Sequence, residues 1–205
     1  DSSVFVSTLF YKELLLHLDK YNCEIILCVD TVKVKPHSNL RKIISFVIKK
    51  FFNINRYIPL NIFQPFFKST PQIDVVNMEK EKEIFEKLKM TSPDYAFVMG
   101  CSYILKQNLI DCFNKVVNCH NSILPDYKGM NAINWAMYNN EKYAGCTYHY
   151  INGKIDDGNI ILQTKVEIDY SKDVNENNLI LLTKAVPKLK EVLELVTNNY
   201  QGLKQ

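Results

Sequence analysis

Four short apolar runs punctuate the first part of this chain: EIILCV (24–29), IDVVN (73–77), YAFVMG (95–100) and KVVN (115–118). Each is rich in β-branched or aromatic residues and bounded by polar ones, the signature of a buried strand. Before and between them lie segments of helical period, predicted at 7–20 (capped by Ser7 or Thr8), 40–52, 79–88 and near 106–112, with an irregular Pro-rich stretch over 53–72. Strands alternating with helices argue for an α/β fold with a mainly parallel sheet covered by helices, because parallel neighbours need a crossover connection. Further on, AGCTYHYI (144–151) and IILQTKVEI (160–168) are strand-like and close enough to pair antiparallel. A short helix is expected at 131–138 and a last one at 175–197, kinked or broken at Pro187. The chain opens on a helix where an α/β unit opens on a strand, so a first strand preceding Asp1 is expected. One domain over 1–170, with 171–205 as a helical segment packed on it, is the expected organisation.

Composition sets the class. With 205 residues, 47% hydrophobic and 23% charged, the chain is long enough to bury a core of its own. The six cysteines form no CxxC pair and show no zinc-like spacing, so no metal is expected. Several sit inside apolar runs, where cysteine behaves as a small hydrophobe, and a reduced, cytoplasmic setting is expected. No run approaches the roughly 18 apolar residues of a membrane-spanning helix, and no basic-then-apolar leader opens the sequence. Charge is unevenly spread: residues 31–73 hold eight Lys or Arg and no Asp or Glu, against a net charge of +3 for the whole. A one-sign segment suits an anionic partner or a solvated face. Within 40–67, phenylalanines interleave with the lysines, so a peripheral membrane contact is one option for this basic, apolar insert (31–72).

The chemistry is concentrated in VVNCHNSILPDYKG, residues 116–129. Side chains alternate along a strand, so Asn118 and His120 share a face while Cys119 points away. Both project at the carboxyl end of a strand, where parallel sheets place their ligands. An amide N–H beside an imidazole suits a carbonyl oxygen that becomes negative during attack. Spacing alone equally allows a loop histidine satisfied by backbone groups. The second constellation is HYINGKIDDGNIIL (149–162), in which two turns flank Ile155. An aspartate brought from there to His120 would stabilise its imidazolium form, but spacing does not choose between Asp156 and Asp157. His149 reads as a structural strand residue, and Trp135, the single tryptophan, as a core anchor.

Asn118-x-His120-x-Ser122-x-Leu124-Pro125, followed by Lys128-Gly129 and Asn134-Trp135-Ala136, resembles the catalytic region of the folate-dependent formyltransferases. Gly145-x-Thr147 and Ile155-Asp156-x-Gly158-x-Ile160-Ile161 resemble that family's second motif, in the right order. The likeness is strongest over 94–163. It implies a Rossmann-like formyltransferase domain and transfer of a formyl group from 10-formyltetrahydrofolate, a co-substrate, to an amine. Asn118 and His120 would then polarise the formyl oxygen, and Asp156 would orient and charge His120, leaving Asp157 a bystander. The pterin would lie against Gly100, Tyr103, Leu105, Ile151 and Asn152, largely through backbone groups. Ser122, Lys128 and Asn131 are the implied acceptor-side residues.

The amine is harder to read. Family members acting on initiator methionyl-tRNA carry an additional C-terminal β-barrel, and 37 residues follow Ile168 here. Members acting on glycinamide ribonucleotide are single-domain but differ after the Leu-Pro. The segment DYKGMNAINWAMYNNEKYAGCTYHY looks more like the branch acting on nucleotide-linked amino sugars in surface-polysaccharide (lipopolysaccharide) synthesis, whose diphosphate would suit Lys128 and the acid-free segment. Glycinamide ribonucleotide, methionyl-tRNA, or a binding homologue without turnover are the alternatives. No nucleic-acid partner is expected, and the oligomeric state is left open, a dimer included.

Overall fold

The computed structural model of the chain describes residues 25–29, 73–77, 81–99 and 104–205, and before them Glu13 alone, which is helical. The described residues fall into two units, 24–80 and the remainder. The predicted helices at 7–20 (Glu13 apart) and 40–52, the basic insert, Gly100 and Tyr103 lie outside the described residues.

In the smaller unit, β1 (Ile25–Val29) and β2 (Ile73–Asn77) pair in parallel, Ile25 against Ile73 and Val29 against Asn77. These are the first two apolar runs, paired with the orientation their pattern predicts.

In the larger unit α1 (Glu81–Thr91) runs three residues further than expected. Ile84 and Leu88, one turn apart, are its buried stripe. β3 (Tyr95–Met99) then pairs in parallel with β4 (Lys115–His120), the short helix α2 (Gln107–Ile110) lying between them in sequence. α3 (Ala132–Tyr138) follows β4. β5 (Tyr143–Tyr150) and β6 (Ile160–Glu167) pair antiparallel as their alternation predicts, and the sheet runs β3-β4-β5-β6. α4 (Val174–Ala185) and α5 (Leu189–Thr197) close the chain, separated by a 3-10 turn over Val186–Lys188 where Pro187 interrupts the ladder. Asp173 caps α4 by a reciprocal capping box with Glu176. Among the described residues no helix is long and apolar enough to cross a membrane.

Strand alternation gives the sheet two unlike faces. Val117, Cys119, Cys146, Tyr148 and Tyr150 point to one and pack on Leu181, Leu182, Leu189, Val192 and Val196 of α4 and α5. Each fully buried aliphatic side chain there stabilises the fold by about 1.5–3 kcal/mol. Two polar tips in this layer are satisfied by carbonyls: the Tyr148 hydroxyl donates to Ala185 O at 2.9 Å, and that of Tyr150 to Tyr200 O. The residues between them, Asn118, His120, Thr147 and His149, share the opposite face, paired across β4 and β5 as Asn118 with His149 and His120 with Thr147. The apolar face fixes the sheet; the polar face carries the site.

Candidate active site

β4 runs two residues beyond KVVN, so His120 is its last residue and Asn118 its third from last. The loop that follows is tied back to the sheet. Thr147 donates its hydroxyl to Ser122 O (2.7 Å) and accepts from Leu124 N (3.1 Å), while Gln163 Nε2 donates to Leu124 O (2.8 Å). Ser122 is buried, and its own hydroxyl donates to Asp126 O at 2.7 Å. Tyr127 and Gly129 then adopt left-handed backbone (φ 55° and 86°), which turns the Tyr127 carbonyl onto His120 Nε2 at 2.9 Å. The same turn aims the Gly129 N–H at Asp156 Oδ2, 2.8 Å away.

Asp156 arrives from the other motif. Its backbone is also left-handed (φ 47°), an uncommon conformation for a residue with a Cβ. The turn is clamped by Gln205, whose Nε2 donates to the carbonyls of Asp156 (3.1 Å) and Gly158 (2.6 Å). This conformation sends the two neighbouring aspartates apart. Asp156 turns inward, with 12% of its side chain exposed, and Oδ2 lies 3.4 Å from His120 Nδ1. Asp157 turns outward and pairs with Lys128, with Lys154 at 3.9 Å.

Asn118 completes the cluster. Its Nδ2 donates to Asp156 Oδ1 (3.2 Å) and lies 3.1 Å from His149 Nε2, itself 3.4 Å from the same carboxylate oxygen. Asn118, His120 and Asp156, all named from the sequence, are therefore brought together with His149, which is 1% exposed and whose sequence context suggests a structural strand residue. The signal that could have found it is the antiparallel pairing of β4 with β5, which sets residue 149 opposite residue 118.

Burial works against ionisation of Asp156 and is the largest single influence on it. The His149 contact, the Gly129 N–H and the charges of His120 and His149 together outweigh burial and bring the carboxyl down to about 2. The His149 part applies to a protonated ring; with the ring neutral, the Asn118 amide holds the same oxygen. Asp157 is held below the usual carboxylate range by its bond to Lys128.

The remaining candidates are more scattered. Ile151 and Asn152 line a cleft of about 320 Å³ with Ile110, Val116, Tyr150 and Gly158 among others. Leu105 is half-buried just before α2. Asn131 is exposed, with left-handed backbone (φ 60°) at the start of α3. Trp135 corrects the sequence reading: it is 54% exposed, edge-on to Tyr138 at 5.9 Å, because α3 buries the small face of Ala132, Ile133 and Ala136 instead.

The family model described as "Formyl transferase" matches residues 49–189, more than half of the chain. The chain belongs to the formyl transferase family. Among curated relatives, the methionyl-tRNA formyltransferase of Clostridioides difficile (strain 630) is 31% identical over 118 residues, covering 57% of this chain and 38% of the relative. That of Clostridium beijerinckii is 29% identical over 178 residues, 86% of this chain and 53% of the relative. The formyl transferase chain thus spans about half the length, or less, of these relatives. Glycinamide ribonucleotide transformylase 1 from Symbiobacterium toebii shares the fold, with a TM-score of 0.64, 19% identity, and coverage of 86% of this chain and 88% of that one. A sugar N-formyltransferase from Shewanella sp FDAARGOS_354 does so with a TM-score of 0.59, 21% identity, and coverage of 89% and 73%.

Proposed function

We propose that this chain transfers a formyl group from 10-formyltetrahydrofolate to the primary amine of a nucleotide-linked amino sugar in surface-polysaccharide synthesis. One observation carries the reaction class: Asn118, His120 and Asp156 converge from a strand end and a distant turn, with contacts of 3.2 and 3.4 Å. The residues fit the donor. Asn118 and His120 each bring an N–H donor beside Asp156, and the cleft lined by Ile151 and Asn152, about 320 Å³, falls within the usual range for a small-molecule site, with the three residues outside its lining.

In this reading the formyl oxygen takes the place that the Tyr127 carbonyl holds on His120 Nε2, and receives a second N–H from Asn118. When the amine nitrogen attacks the formyl carbon, both donors strengthen on the developing oxyanion. The Asp156 carboxylate, its pKa held at about 2 and facing Nδ1 at 3.4 Å, orients the His120 ring and stabilises positive charge that develops on it. The ammonium proton of the adduct passes through Asp156 or His120 toward the departing folate nitrogen, and the carbon–nitrogen bond to the folate breaks. The products are a formamide and tetrahydrofolate. A HypX structure from Aquifex aeolicus with the same fold (TM-score 0.58, 14% identity) was solved with tetrahydrofolic acid, in keeping with a folate donor.

The sugar acceptor rests on the 126–150 segment and on the fold match to a sugar N-formyltransferase. Lys128 reaches an acceptor phosphate in this reading by exchanging its Asp157 partner. The competing acceptor is methionyl-tRNA, favoured by the names of the curated relatives. A cytoplasmic setting accords with the free thiols of Cys112, Cys119 and Cys146. Incubating the protein with 10-formyltetrahydrofolate and each of three acceptor types (nucleotide-linked amino sugars, methionyl-tRNA, glycinamide ribonucleotide) separates these readings. Tetrahydrofolate release with an amino sugar nucleotide alone is the expected result; release only with methionyl-tRNA overturns the acceptor assignment, and release with none overturns the reaction.

A further inference from the structure

We infer that His149 is a positioning residue for the Asn118 amide, an inference that rests on the formyl-transfer reading of the same site. His149 is 1% exposed and stands directly opposite Asn118 in the β4–β5 ladder, so the two side chains leave the sheet together. On its other side, β5 meets β6 at a register shift between Tyr148 and His149. The extra residue there is Ile161 of β6, and such bulges recur beside active sites.

Hydrogen bonding fixes what the ring does there. Nδ1 lies 2.8 Å from the Tyr150 carbonyl, which can only accept, so Nδ1 carries a proton. In the neutral ring Nε2 then offers a lone pair, and Asn118 Nδ2, 3.1 Å away, donates to it. That bond chooses the amide's orientation: nitrogen toward His149, and hence N–H rather than carbonyl presented to the reacting group. The amide's other N–H rests on Asp156 Oδ1, and the formyl oxygen takes that N–H by exchange. The exchange is one-sided for a physical reason. Asp156 keeps the Gly129 N–H and the His120 ring when it gives up Asn118. A buried Nε2 stripped of its donor would bear the full cost of an unsatisfied acceptor. His149 thus holds one hydrogen of the amide while the other serves the oxyanion, and acts through Asn118 without touching substrate.

Two substitutions divide the ring between them. His149→Gln sets an acceptor near the Nε2 position and loses the Tyr150 bond; His149→Asn keeps a donor near Nδ1 and leaves Asn118 without its acceptor. Each forfeits one buried bond, so both lower Tm. Only His149→Asn is expected to lower kcat, about 10- to 100-fold with the KM for the folate donor unchanged, while His149→Gln retains most of kcat. A readout independent of turnover is hydrogen exchange of the Asn118 side-chain amide, assigned in ¹⁵N-labelled protein by its loss in Asn118→Asp. Protection in the wild type and His149→Gln, with rapid exchange in His149→Asn, is the expected pattern. Equal kcat and equal protection in the two variants overturn the inference. A wild type with no turnover but the expected protection pattern leaves the clamp standing and overturns the formyl-transfer reading instead.

Discussion

Gly158 offers a test of how tightly the turn bearing Asp156 is fitted to the sheet. A Cβ at this position would sit 2.7 Å from the Tyr150 carbonyl carbon, closer still to its oxygen, and 3.5 Å from Ile151 N. Ordinary contact begins near 3.4 Å, so at least 0.7 Å must be absorbed against the carbon alone. The opposing atoms are backbone, and the backbone is pinned. β5 is held in the sheet between β4 and β6, with Tyr150 N donating to Asn159 O at 2.9 Å, whereas the turn is tied by the Gln205 side chain, which can follow it. Gly158→Ala therefore displaces the 156–158 turn rather than the strand, and moves Asp156 off Gly129 N and His120 Nδ1. A displacement approaching 1 Å at a catalytic group costs on the order of 100-fold in rate. Overpacking adds about 2 kcal/mol of destabilisation, or roughly 4–8 °C in Tm for a chain of this size. Tetrahydrofolate release under saturating substrates and scanning calorimetry measure the two effects. Wild-type kcat in a variant that has lost Tm would refute the coupling of this glycine to Asp156; wild-type values of both would refute the packing argument.

Other consequences follow from single residues. The Asp156 carboxyl, brought from 3.8 to about 2, contributes stability that is present above about pH 4 and lost as pH falls toward 2. The stability difference between wild type and Asp156→Asn should thus change as pH falls from 4 to 2; a difference independent of pH across that window would contradict this. Asn177 is 3% exposed and bonds Asp169 N, Asp169 O and Asp173 O at 2.9–3.1 Å, tying α4 to the end of β6. Asn177→Leu strands these buried groups and should cost about 3 kcal/mol in urea unfolding, with an unchanged midpoint as the contrary result.

The sequence made the strands legible because each is a short β-branched run with polar ends, and a strand buried on its core face has no other use for such a run. Pro187 was legible for a similar local reason: it cannot continue a helical ladder. Helix ends were less so. α1 persists past residue 88 until Ser92, whose left-handed backbone (φ 45°) and N–H bonded to Leu88 O end it. Asn118 and His120 were readable as a pair because strand alternation is local. The choice of Asp156 over Asp157 was not, since a single left-handed residue decides which aspartate faces inward. His149 was hidden for a different reason: its role exists only once β5 is laid beside β4 in register, a non-local fact. Trp135 misled because a lone tryptophan suggests a core, whereas the face α3 buries is built from smaller residues.

The central claim is that His120, held by Asp156, stabilises the oxyanion of formyl transfer. A single-turnover measurement of tetrahydrofolate formation, comparing wild type with His120→Ala at saturating donor and acceptor, tests it most directly. The account predicts a rate lowered by about 10²- to 10⁴-fold with the fold intact by circular dichroism. An unaltered rate in His120→Ala would contradict it.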